Sequence, residues 1–140
     1  MTRYLLISFL LITALGFSQE AVFNPKYPIA KFPKVKEGRI VNYVYEFTNS
    51  GDAPLEFYSY EVECTCTKVE LPAQPTQPGQ KGRISVSFDT HGKSYYQDRI
   101  IYLQTNTERK KEKLRLKVYV DPKKVENPKR KKDKTRFILF

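Results

Sequence analysis

Tryptophan is absent from this 140-residue chain, which has one Met, one His and two Cys. So few thiols and imidazoles leave little from which to build a nucleophilic triad or a full metal shell. No GxSxG, HExxH, P-loop, GxGxxG or EF-hand loop occurs in the sequence. The single His91 stands in DTHGK, the setting of a plain turn, and Glu61 and Glu63 read as a solvated strand face. The sequence therefore predicts no enzyme, no cofactor and no metal. Acidic residues are scarce too, 15 against 25 Lys and Arg, for a net charge of +10. No stretch beyond residue 18 carries a helical period.

The first 18 residues have the pattern of a targeting segment. Arg3 supplies a positive charge, Leu5–Phe17 is an apolar run, and Gly16 and Ser18 are the small residues of a cleavage site. That run is shorter than the roughly 20 residues a spanning helix needs, so a cleaved signal peptide is expected, with Gln19 as the new N-terminus, while Ala14 and Gly16 allow a cut two residues earlier. No Cys lies near the cut to accept a lipid. The prediction is an exported protein, periplasmic or extracellular, with no transmembrane segment once the signal is removed.

What remains reads as β. In Arg39–Asn49, Val41, Tyr43, Tyr45 and Phe47 share one face. Arg83–Thr90 sets Ile84, Val86 and Phe88 against polar neighbours, and Lys113–Val120 sets Leu114, Leu116, Val118 and Val120 against Arg115, Lys117 and Tyr119. Period-two alternation with β-branched and aromatic enrichment is the mark of half-buried strands. Less regular strands are expected at Leu55–Glu63 and Arg99–Thr105, with a Pro-flanked edge strand near Pro28–Lys34. Turn clusters fall between them, at Asn49–Pro54, Pro72–Gly82, Asp89–Lys93 and Asn106–Lys111. The expected domain is an immunoglobulin-like antiparallel β-sandwich of about seven strands over residues 19–120.

The order FTNSGDAPL (Phe47–Leu55), CTCT (Cys64–Thr67), PGQKGRISVSFDT (Pro78–Thr90) and LQTN (Leu103–Asn106) resembles a bacterial exported family, domain of unknown function 1573. That family is similar to Hydin-type and major-sperm-protein-like immunoglobulin sandwiches. The resemblance covers roughly residues 32–120. It departs at Thr65, where the family usually has Gly between the cysteines, and at Ser94, Tyr95 and Tyr96 after the DT-x-GK turn. It implies an export-compartment sandwich without an established activity.

Two features carry candidate chemistry. Cys64 and Cys66 will meet an oxidising compartment if the chain is exported. They could form a redox-responsive pair, a two-thiolate handle for a soft metal such as copper, a local staple, or two small buried hydrophobes. The other feature is the end of the chain. Residues 121–140 hold eight basic and three acidic side chains and finish in FILF. Lys123, Lys124, Lys129, Arg130, Lys131, Lys132, Lys134 and Arg136 form either a solvated tail or a contact to an anionic surface. No nucleic-acid-reading motif accompanies the charge, so nucleic acid is not a predicted partner. The expected function is a non-catalytic binding or structural module. It would contact a protein partner or an envelope component through sheet edge, loops and tail. The alternative is thiol-redox or copper handling at the cysteine pair.

Overall fold

The computed structural model describes residues 19–123. Nine strands follow in chain order: β1 (Phe23–Pro25), β2 (Ile29–Lys31), β3 (Val35–Lys36), β4 (Ile40–Asn49), β5 (Phe57–Val62), β6 (Thr67–Glu70), β7 (Lys81–Asp89), β8 (Tyr95–Thr105) and β9 (Lys111–Asp121). They form two sheets. One runs β1-β4-β7-β6, the other β2-β9-β8-β5, with β3 also paired to β9. Residues 1–18, where a signal peptide is expected, and residues 124–140 lie outside the described residues.

Alternation decides which face of each strand is buried. On β4 the inward Val41, Tyr45 and Phe47 are buried, while Ile40 and Val44 on the other face stay exposed. Ile84, Val86 and Phe88 of β7 meet Ile101 and Leu103 of β8 and Leu114, Leu116, Val118 and Val120 of β9 in one core. At one end Phe23, Phe47 and Phe57 pack ring against ring, with centroids 5.1 to 5.7 Å apart. The buried Tyr45 donates its hydroxyl across the sandwich to the Arg115 carbonyl at 2.8 Å. Burial pushes that phenol well above its ordinary range, so it stays a neutral donor.

The sandwich and its main strands follow the sequence pattern, and the differences have local causes. The sequence pattern locates six of about seven expected strands, and the described residues hold nine, because β1, β3 and β6 are too short to show a period. Pairing is not wholly antiparallel: β2 and β3 run parallel to β9. A Pro-flanked segment returning from β1 reaches β9 in that direction. Leu55 is not in a strand but makes an isolated bridge to Thr76, and β5 begins at Phe57 with a bulge before Ser59.

Asn49 ends β4 with none of its surface exposed. Its Nδ2 donates to the Ala53 carbonyl at 2.7 Å and the Thr76 carbonyl at 2.8 Å. Its Oδ1 accepts from the amides of Gly51 at 3.1 Å and Val22 at 3.2 Å. One side chain therefore ties the NSGDAP turn, the Pro-rich link and the first strand to the core.

Candidate functional site

Cys64 and Cys66 sit in the turn between β5 and β6, where the chain crosses from one sheet to the other. Their Cα atoms lie 5.2 Å apart and their sulfurs are joined as a disulfide. Both are half-buried against the core, and Thr65 between them is exposed. The Cys66 carbonyl accepts the Asp89 amide at 2.8 Å and the Cys64 carbonyl the Thr67 amide at 3.2 Å. The turn is thus anchored to the end of β7 by its main chain. No group of three His, Cys, Asp or Glu side chains converges among the described residues.

The other residues singled out from the sequence do not meet there. His91 is exposed, its amide bound to the Asp89 carboxylate at 2.9 Å in the β7–β8 turn. Glu61 accepts from Lys111 at 2.8 Å and Gln104 at 2.7 Å, and both contacts hold its carboxyl below the usual range. Glu63 faces Arg99 at 3.4 Å instead, so the two glutamates serve separate cations. Of the basic tail residues, only Lys123 falls within the described residues. Its amide donates to Glu37 at 2.9 Å and is the main reason that carboxyl is held low. Lys124, Lys129, Arg130, Lys131, Lys132, Lys134 and Arg136 lie outside them.

The structure assembles a surface the sequence reading did not single out, the outer face of the β2-β9-β8-β5 sheet. Alternation on β9 turns Lys111, Lys113, Arg115 and Lys117 outward in one row. The register sets Tyr96 beside Tyr119, Asp98 beside Lys117, and Tyr102 beside Lys113. Arg115 grips Asp98 with two bonds, 2.7 and 2.6 Å, and Lys117 adds a third contact at 3.6 Å. The Arg115 guanidinium holds the Asp98 carboxyl below its ordinary range. Lys111 lies over the Tyr102 ring at 4.7 Å. From β2, Lys31 stands opposite Lys117. Neither Lys31 nor Lys113 has a carboxylate partner among the described residues. Cations therefore exceed carboxylates on this face. The alternation of KLRLKVYV already showed half of it; β8 and β2 complete it only through pairing.

Two facing sheets around one apolar core, with chain crossings at their edges, define an immunoglobulin-like β-sandwich. Residues 24–120 match the model of the family described as protein of unknown function (DUF1573), and the chain belongs to that family. No curated protein matches it. Among solved structures it is similar to a protein of unknown function from Porphyromonas gingivalis W83. The TM-score there is 0.64 at 16% identity, over 76% of this chain and 50% of that one. It is also similar to the secreted serine protease VesC of Vibrio cholerae, with a TM-score of 0.52 at 13% identity, over 80% of this chain and 24% of that one. For the VesB protease of the same organism the values are 0.51 and 11%, over 73% and 32%. The chain thus spans half or less of these proteins. At such identities the likeness is one of fold alone.

Proposed function

We propose that this chain is an exported, non-catalytic binding module that holds an acidic protein partner against the outer face of the β2-β9-β8-β5 sheet. The observation that carries it is the row of Lys111, Lys113, Arg115 and Lys117 beside Tyr96, Tyr102 and Tyr119, with Lys31 and Lys113 unpaired among the described residues. Cations left without carboxylates attract an acidic surface over about 8 to 10 Å at moderate salt. Tyrosine rings between them supply contact area at low entropic cost. Residues 124–140 would add to the same attraction through their charge.

Titration with polyglutamate tests the face. Changing Lys31 and Lys113 together to Glu should weaken binding roughly tenfold at about 0.05 M salt and less at about 0.2 M. Changing Lys68 and Arg83 to Glu, on the opposite sheet, alters net charge equally and should weaken it less. Equal loss in both pairs would show that net charge alone is at work and end this reading. Export is tested by the N-terminus of the secreted chain, expected at Gln19; retention of Met1 would refute it.

The thiol-redox or copper alternative rests on Cys64 and Cys66, half-buried at the sheet crossing. A reduction potential below about −300 mV would mark the pair as a structural staple and retire it.

A further inference from the structure

We propose that the open half of the β8 edge, at Tyr96 and Asp98, accepts an extended acidic segment of a protein partner as an added strand. This rests on the binding-module reading and names where on the sheet the partner's main chain would be held.

Hydrogen-bond accounting carries the proposal. In an antiparallel ladder, alternate residues turn both N–H and C=O to one neighbour, and the residues between turn theirs to the other. Thr105 donates to the Lys110 carbonyl at 3.0 Å, so the odd-numbered residues of β8 serve β9. The far side of β9 agrees. Arg115 donates to the Pro28 carbonyl at 2.9 Å and Phe32 to the Lys117 carbonyl at 2.9 Å, so odd residues of β9 serve β2 and even ones serve β8. The even-numbered residues of β8 must then face β5. β5 supplies partners only as far as Val62 opposite Ile101, after which the chain departs through the Cys64–Cys66 turn to the other sheet. Tyr96 and Asp98 are left with main-chain groups directed at a strand position that no described residue fills.

Two donors and two acceptors, about 7 Å apart along the strand, suit one extended segment lying in line with β5. The surroundings specify its charge. Asp98 is outnumbered by Arg115 at 2.6 Å and Lys117 at 3.6 Å, and Glu63 is matched by Arg99 at 3.4 Å. Lys93 stands in the turn that enters β8, and Tyr96 on that strand is exposed. An incoming strand with carboxylates complements this surplus, whereas a second copy would set like charges against themselves.

The test uses the full chain, isotopically labelled, and a blocked nonapeptide of alternating Glu and Thr, with its Lys–Thr counterpart as control. Adding the Glu peptide should slow exchange of the Tyr96 and Asp98 amides about tenfold or more. The Gln97 and Arg99 amides, already bonded to β9, should not change. Asp98→Ala removes the carboxylate, keeps the N–H and should tighten binding; Asp98→Pro removes the same carboxylate and also the N–H, which the β8–β9 ladder does not use, and should abolish binding. If Asp98→Pro does not fold, the exchange pattern in the unaltered chain decides alone. Binding without protection of Tyr96 and Asp98 would overturn the strand-addition proposal and leave the face reading standing. Equal binding of the Lys peptide would overturn it as well. So would protection of both amides in the free chain, by a second copy if it grows with concentration and by another part of the chain if it does not.

Discussion

Asn49→Ala should be among the most damaging single changes available in this protein. The side chain makes four hydrogen bonds from a fully buried position, two to carbonyls and two from amides. Truncation strips the Val22 and Gly51 amides and the Ala53 carbonyl of these partners, while the Thr76 carbonyl keeps the Leu55 amide at 2.9 Å. Each group left unsatisfied costs roughly 1 to 3 kcal/mol, at the low end where water reaches it. The sum is about 4 kcal/mol, against a total stability of roughly 5 to 15 kcal/mol. For a domain of this size that lowers the melting temperature by about 15 to 30 °C. Asn49→Asp separates hydrogen bonding from packing, because the shape is kept while the two donations to carbonyls become contacts between oxygens. Its carboxyl would be favoured in the neutral form, so its folded pKa lies above the unfolded value of about 3.9. The variant is then most stable below that value and loses stability as pH rises through the folded pKa. Denaturant unfolding at about pH 4 and pH 7, with exposed Asn42→Ala as a control within about 0.5 kcal/mol, checks both points. An Asn49→Ala loss below about 1 kcal/mol, or an Asp variant with a flat pH profile, would refute the reasoning.

Three further outcomes are expected. A methyl added at Gly82 would stand 2.2 Å from the Phe47 ring, which is 1% exposed, so Gly82→Ala should cost about 1 to 3 kcal/mol in chemical unfolding. Gly79→Ala meets no atom and bears only the strain of a φ of +74°, so it should cost about 1 kcal/mol. Asp98 is held low by Arg115, and its contribution is present above its ordinary value near 3.8 and lost as pH falls through the depressed folded one. Asp98→Asn should therefore flatten the acid limb of the stability profile, and an unchanged limb counts against the pair. Closing so short a loop constrains the unfolded chain little, about 1.5 kcal/mol, so Cys64→Ser with Cys66→Ser should remain folded. Loss of folding would show that the crossing depends on the disulfide.

The strands that carry the sandwich were legible because period-two alternation is a local property. Burying one face of Arg83–Thr90 or Lys113–Val120 needs no knowledge of the partner. The short strands were not legible. Phe23–Pro25 and Thr67–Glu70 hold too few residues to show a period, and main-chain pairing places them. Asn49 reads in sequence as one more turn residue of NSGDAP. Its role depends on carbonyls and amides brought in from Val22 and Thr76, 27 residues away on either side.

By itself, the sequence determined the class of fold, the family, the inward residues of the long strands and the scarcity of catalytic groups. The family rests on the resemblance of its motifs; the others follow from composition or alternation. The tertiary structure decided which strands are neighbours, and with that everything that belongs to a surface. The cations of β9 become a face only beside the tyrosines of β8, and among the described residues the start of β8 has no second neighbour because β5 leaves the sheet after Val62. Register and chain crossings are set by contacts far apart in the chain, and no local pattern encodes them.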